Sequence, residues 1–557
     1  MHSAMMILAS RSFDCSSAKA IHRRTDEVCK GQMCELPSNS NRPMLVILAV
    51  LLLSVLFITL VLCPTIPLGV VGEWVLERKH VPIKRCIPAI VGIVLFIIVT
   101  WRCAIKAPTT RCELMSAVTA LFITSIFVRF FVQFIEPLGR HPMAHSAYTA
   151  VSPIATSFFI SARNAEDEGW LNVIRNYDDF MRRQPVHSAT HPPGILLLYS
   201  VIRVATKNSH LLQNIAYAAI GGRESLAFHV TAVRKLLGIQ VEPWEVAAGF
   251  ISSQLMLLLG ALTLPFIILA LIALSYPRPD DHDESTDRSE LWWVVPTISL
   301  IYSTSPGQFA YVASPDQLLT FISAVGSACI CIWACVKRAK STLLLIGVLG
   351  FVGLFCSFKF APILLMWVLL IIVETMRQAN RHGNLKVTCD IATALGWFAM
   401  PMFLLGLLLL IAFGFDWLST FSVAMHAHSA QAVSSVRTYW KWAIVNLFEF
   451  SFSIGPVLTA SLKACLWHAI SSRAKSTGER MLIMCVAIIM LMDILGIVRG
   501  EVSRIWLPFT PPLAIGIAAN KCFRSLKRLR ASFTLLSLSQ AVTAIFVRAF
   551  VDAVRAW

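Results

Sequence analysis

Apolar runs of about twenty residues recur along the whole chain, and no other feature constrains its fold so strongly. A run of that length crosses the hydrocarbon of a bilayer as an α-helix. Lipid offers no partners to backbone N–H and C=O groups, so each crossing must satisfy its own. No stretch between the runs is long enough for a soluble domain of ordinary size. Composition agrees. Of the 557 residues, 56% are hydrophobic and only 14% charged, where soluble domains carry roughly 25%. Mean hydropathy is +0.69.

The expected fold is therefore all-α, a polytopic transmembrane helical bundle of about thirteen spans. They fall near 44–63, 83–101, 113–135, 245–274, 290–304, 314–336, 341–357, 360–376, 390–413, 443–462, 481–498, 505–520 and 533–550. Residues 1–43 are polar and basic and read as a cytoplasmic tail. Residues 44–112 form an additional N-terminal transmembrane pair. Residues 113–520 are the core, with an outer loop at 136–192, and 521–557 are a basic loop and a last helix.

The net charge of +17 sits in short loops: "KRAK" (337–340), "MRQANRHGNLK" (376–386) and "KCFRSLKRLR" (521–530). That is the pattern of loops retained on the cytoplasmic side. No basic surface is interleaved with aromatics, so nucleic acid is not an expected partner. Most of the fifteen cysteines lie inside apolar runs, where a thiol acts as a small hydrophobe. Cys29 and Cys34 lack the histidine pattern of a zinc site. The acidic loop 277–290, with Asp280, Asp281 and Asp283, reads as solvated.

Loop 136–192 is the largest break between apolar runs. Its "NAEDEGWLNVIRNYDDFMRR" places Trp170, Leu171, Ile174, Tyr177 and Phe180 at helical spacing. This predicts an amphipathic, juxtamembrane helix on the outer surface. The loop ends in "HSATHPPGILLLY" (187–199), two histidines and two prolines ahead of an apolar helix. Residues 193–206 are short for a span. They read as a re-entrant or interfacial helix, or alternatively as half of a pair with a weak crossing near 211–237.

Signatures of familiar soluble enzymes are missing. The chain has no G-x-x-x-x-G-K-[ST], H-E-x-x-H or G-x-S-x-G. The first absence argues against a nucleotide-driven pump. What remains is a set of polar residues that the expected topology gathers on one face. They are Glu136, Asp167, Glu168, Asp178, Asp179, His187, His191, Asp316, Lys359, His426, His428, Glu501 and Arg504. Lys359, in "CSFKFAP", is the most informative. A lysine close to hydrocarbon faces a cavity or a partner, or snorkels to the interface.

The succession "THPPG", then "SPGQFAYVASPDQLLTF", "CSFKFAP" and "GEVSRIWLPFTPP" resembles the GT-C superfamily of integral-membrane glycosyltransferases. It is most similar to the branch of dolichyl-phosphate-mannose protein mannosyltransferases and bacterial aminoarabinose transferases. The likeness covers roughly 113–520 and rests on the order and spacing of degenerate motifs. It implies transfer of a sugar from a polyprenyl-phosphate donor to a lipid, glycan or protein acceptor outside the cytoplasm. The expected location is a bacterial inner membrane, with membrane lipids as surroundings.

By the same resemblance a loop carboxylate is the base, and basic residues hold the departing phosphate. Glu136, Asp167, Glu168 and His191 are then the catalytic candidates. Lys359 and Arg504 are the phosphate-binding ones, and Pro192, Pro193, Asp316 and Glu501 support them. The sequence departs from the family at Ser152 and Pro153, which stand where an acid is usual. The residues specify no cofactor. The carboxylates could hold a divalent metal ion, though no spacing demands one. Two other classes stay open: a transporter or flippase without nucleotide drive, and a catalytically inactive relative.

Overall fold

The structure is a computed structural model that describes residues 42–135, 141, 143–275, 288–336, 338–379, 384–434, 437–474, 476–528 and 532–552. The N-terminal cysteines 29 and 34, Glu136, and Asp280, Asp281 and Asp283 lie outside the described residues. Within them the chain is an all-α bundle. Two short antiparallel strand pairs are its only β structure among the described residues.

Among the described residues, eight helices are long and apolar enough to cross a membrane. They are Pro43–Leu62, Ile87–Ile105, Arg111–Val132, Pro243–Leu274, Asp316–Cys335, Phe358–Arg377, Lys386–Phe413 and Ser532–Phe550. Three more apolar helices, Leu291–Ser303, Lys340–Cys356 and Leu507–Ala519, are shorter. Burial sorts the long ones. Pro243–Leu274 and Asp316–Cys335 are 67% and 72% buried over their most apolar stretch, and Lys386–Phe413 only 17%. The first two therefore form the centre, and the third turns apolar side chains outward, as a lipid-facing helix does.

The expected crossing at 443–462 is not one straight helix. Tyr439–Ile454 and Pro456–Ser471 meet at 113°. Gly455 takes φ +87°, which a residue without a Cβ adopts at no steric cost. Pro456 then opens the second helix, where its missing N–H is no loss. The local signal, Gly-Pro inside an apolar run, was present in the sequence. With this pair taken as one span, nine crossings are long and apolar enough among the described residues. The expected total was about thirteen.

The outer loop also differs from expectation. Its single amphipathic helix is three pieces, Phe158–Glu168, Trp170–Arg175 and Tyr177–Arg182. Gly169, at φ +83°, breaks the first from the second. Leu171, expected on the apolar face, is exposed, and Val173 and Met181 are buried in its stead. After "THPPG" come Gly194–Asn208, His210–Ala219 and Leu226–Leu237, of 15, 10 and 12 residues. Gly221 and Gly222, both at positive φ, separate the last two. None of the three reaches the length of a span.

The N-terminal pair is woven into the bundle. Helix Arg42–Leu62 packs against Ser532–Phe550 and Pro456–Ser471. Glu77–Arg78 pairs with Val551–Asp552 near the end of the chain. The hairpin Gly69–Val70 with Trp74–Val75 presents Glu73, which accepts from Thr438 N (2.7 Å), Thr438 Oγ1 (2.7 Å) and Trp442 Nε1 (2.8 Å). One carboxylate thus ties the first interhelical loop to the start of the bent helix pair.

Candidate functional site

Three chain turns that are far apart in sequence meet around Asp316. The first is Ser314–Pro315–Asp316, where helix Asp316–Cys335 begins. Ser314 Oγ donates to Asp316 Oδ2 (2.6 Å) and accepts from Asp316 N (3.1 Å). Asp316 itself is only 3% exposed. The second is a 3-10 turn, Phe358–Phe360, between helices Lys340–Cys356 and Ala361–Ala379. Ser357 is extended there and its hydroxyl accepts from Lys359 N (3.4 Å), which caps the turn. The Lys359 ammonium makes an ion pair with Asp316 Oδ1.

The third is the segment 501–505. Glu501 sits at φ +59°, a left-handed conformation that costs a side-chain-bearing residue free energy. It precedes the short helix Val502–Ile505. Arg504 Nη2 lies 2.9 Å from Glu501 Oε2, and its Nε lies 4.0 Å from Asp316 Oδ2. Arg437 Nη2 approaches Glu501 Oε1 at 3.5 Å. Buried charges hold only when paired and hydrogen-bonded. Here Lys359, Arg504 and Arg437 face Asp316 and Glu501, and the buried Glu449, which accepts from Ser503 N (3.0 Å), acts on Arg504 as well.

"THPPG" supplies the remaining wall. The Thr190 hydroxyl lies 3.0 Å from both the His187 carbonyl oxygen and His191 Nδ1. Tyr177 OH donates to the His191 carbonyl (2.9 Å). The Phe158 ring meets the His191 imidazole edge-on at 5.1 Å. Pro192 and Pro193 are buried and start helix Gly194–Asn208 with fixed φ. Gly194 lets that helix touch backbone to backbone. An added Cβ would stand 2.5 Å from Phe355 O, at the end of helix Lys340–Cys356. The prolines and glycine so place the two histidines against the turn that carries Lys359.

Together these groups line a cavity, with Thr156, His187, His191, Asp316, Lys359 and Arg504 in its wall. Six expectations meet here: His191, Lys359, Arg504, Asp316, Glu501 and the proline pair behind them. Asp316, expected as a support, is the hub. His187 and Arg437 join it without having been singled out for the site. The segment that follows Ser152 and Pro153 contributes Ala155, Thr156 and Phe158 to the wall.

Asp167 and Glu168 do not reach the cavity. Both are exposed, and Glu168 spends its carboxylate on Arg183 in a fork of 2.9 and 2.8 Å. It is Glu166 that faces inward, accepting from Ser200 Oγ (2.8 Å) and Arg203 Nε (3.1 Å). Asp178 accepts from Ser419 Oγ (2.9 Å), and His426 and His428 are exposed. Among the described residues no cluster of three metal-ligating side chains exists.

Burial, then the Arg504 charge, holds the His187 imidazole at about 4, with Glu501 pulling the other way. Burial and Lys359 hold His191 well below the ordinary histidine range. For Glu501 burial works upward, but Arg504 and its neighbouring cations outweigh it and keep the carboxyl low. Both histidines are thus neutral at pH 7. Between the unfolded value of about 6.5 and about 4 the unfolded chain binds more protons, so stability is lost as the pH is lowered through that window. Thermal unfolding in detergent should show a midpoint that drops from pH 7 to pH 4.5. His187→Gln should reduce the slope; an equally steep profile in that variant refutes the assignment.

Chemically, the arrangement can hold an anion between Lys359 and Arg504 and offer neutral imidazoles beside it. Comparison of the chain with known protein families, with curated proteins and with solved structures finds no match to any of them.

Proposed function

We propose that the protein is a membrane glycosyltransferase that moves a sugar from a polyprenyl-phosphate donor to a lipid, glycan or protein acceptor on the non-cytoplasmic face. The observation that carries this reading is the cluster of half-buried Lys359 and Arg504 around buried Asp316. Lys359 and Arg504 both line the cavity, and Asp316 is the one carboxylate among its wall residues. A cavity with that surplus favours an anion, and most of all one whose charge grows during reaction.

In the reaction, the acceptor hydroxyl oxygen forms a bond to the anomeric carbon. The bond from that carbon to the phosphate oxygen breaks, and the phosphate leaves with the electron pair. Lys359 and Arg504 stabilise that charge. The hydroxyl proton passes to a base. His191 and His187 are the neutral bases in the cavity wall, and Glu136 remains a candidate from the sequence. Asp316, clamped between cations, is better suited to orienting them than to taking a proton.

The test is transfer from radiolabelled polyprenyl-phosphate sugars in detergent. Lys359→Ala and Arg504→Ala should each lower turnover by about 10²–10³-fold, with Asp167→Ala and Glu168→Ala near wild type. Full activity in both cation variants would sink the reading.

One observation favours a transporter instead. The helix that ends at the 113° break carries buried Asn446 and Glu449, and Asn446 donates to buried Asp493 (2.8 Å); transporters place substrate sites at broken helices. Uptake of lipid phosphates into vesicles without covalent transfer would support that class.

A further inference from the structure

Arg437 is tied to the charges of the cavity through Glu501. Its Nη2 lies 3.5 Å from Glu501 Oε1, and Arg504 Nη2 lies 2.9 Å from Glu501 Oε2. One carboxylate thus bridges two guanidiniums, one on each oxygen. Arg504 is the one that lines the cavity.

Arg437 is itself held from several sides. Its Nη1 donates to the Arg499 carbonyl, and Arg499 Nη1 donates back to the Arg437 carbonyl (2.9 Å). This reciprocal pair fixes the chain just ahead of Glu501. The Arg437 guanidinium also stands 6.0 Å from the centre of the Trp74 ring and 5.7 Å from that of Trp442, and a planar cation is attracted to indole faces. The two rings lie 5.9 Å apart. Glu73 ties them together. It precedes Trp74 in the hairpin and accepts from Trp442 Nε1 (2.8 Å), from Lys441 Nζ (3.2 Å) and from the backbone N–H of Thr438 (2.7 Å), the residue after Arg437. The Thr438 hydroxyl, above all, holds the Glu73 carboxyl at about 2, so these bonds are charge-assisted at pH 7.

We propose that Arg437 is a positioning residue: held by the N-terminal hairpin, it takes up one oxygen of Glu501 and so keeps Arg504 available to an anion in the cavity. This rests on the transferase reading above and extends it, because the hairpin lies outside the stretch that resembles the glycosyltransferases. A carboxylate between two cations divides its attraction between them. Without Arg437, both Glu501 oxygens turn to Arg504 in the two-pronged pairing that guanidinium and carboxylate favour. Arg504 is then neutralised and drawn away from the cavity. Glu73 and Trp442 are 369 residues apart, so the first interhelical loop sets the charge of a site built far along the chain.

The test is equilibrium dialysis of radiolabelled inorganic phosphate against the full chain in detergent. Arg437→Met keeps an apolar stem beside the tryptophans and removes the charge. It should weaken phosphate binding about tenfold, the size of one weakened charge-assisted hydrogen bond. Glu501→Gln removes the competing carboxylate and should tighten binding. In that background Arg437→Met should change nothing further, since no carboxylate is left to share. An arginine that only supported the fold, or acted by its own charge at a distance, would weaken binding equally in both backgrounds, and that result overturns the role. Glu73→Ala leaves Arg437 in place and loosens its clamp. It should show a smaller drop with the same dependence on Glu501, which keeps the proposal testable if Arg437→Met folds poorly. Wild-type affinity in both Arg437→Met and Glu73→Ala overturns the role and leaves the transferase reading standing. No phosphate on wild type overturns the reading of the cavity, and this role with it.

Discussion

Asp316→Ala should destabilise the folded protein by about 3–5 kcal/mol. The side chain is 4% exposed and is the carboxylate paired with the Lys359 ammonium and approached by Arg504. Its removal leaves two cations in a place poor in water. Glu501 still pairs with Arg504, so the heavier loss falls on Lys359. The cost comes from the stranded charge more than from the lost attraction. Replacing both partners by apolar groups, Asp316→Leu with Lys359→Met, should therefore restore much of the stability while abolishing transfer. Denaturation in a fixed detergent, run as a double-mutant cycle, measures the coupling directly. If Asp316→Ala unfolds like wild type, the pair is not the buried hub described above.

Gly194→Ala should cost about 1–3 kcal/mol by overpacking and lower transfer by about 10²-fold through misplacement of the site by roughly 1 Å. The added methyl would stand 2.5 Å from Phe355 O, 2.8 Å from Phe355 C and 2.9 Å from Cys356 N. All three are backbone atoms, which cannot rotate aside as a side chain can. The helix must then lift from the end of Lys340–Cys356, and His187 and His191 move with it. Gly396→Ala is the control. That glycine also lies within a helix, Asn384–Phe413, but nothing stands within 4 Å of its added Cβ. It should gain rather than lose stability, because alanine is the better helix former by about 1 kcal/mol. Wild-type transfer in Gly194→Ala would show that the histidines do not depend on this contact.

These two experiments also divide what a linear reading reaches from what it misses. Lys359 stood out because an ammonium amid apolar residues is costly wherever it lies. Asp316 was expected only as a support and not as its partner, because it is 43 residues away and no local rule links them. Arg504 joins from a third segment. The outward turn of Asp167 and Glu168 was legible in principle. Phe158, Phe159, Ala162 and Ala165 form the buried stripe of their helix, and at 100° per residue that stripe runs on to Glu166 rather than to the next two residues. The acids were chosen by type, when helical phase would have chosen between them. The break at Gly455–Pro456 was likewise written locally and passed over because the run around it is apolar.

The sequence by itself determined the fold class. Hydrocarbon accepts only backbone that satisfies its own hydrogen bonds, so apolar runs of sufficient length become helices whatever their neighbours do. It also marked the stiff Pro-Pro-Gly start of one helix, since proline fixes φ without help from tertiary contacts. Only the tertiary structure decided which polar residues share a cavity. Charge pairing in a buried place depends on distance in space, and Asp316, Lys359, Glu501 and Arg504 are brought together by helix packing that local sequence does not encode.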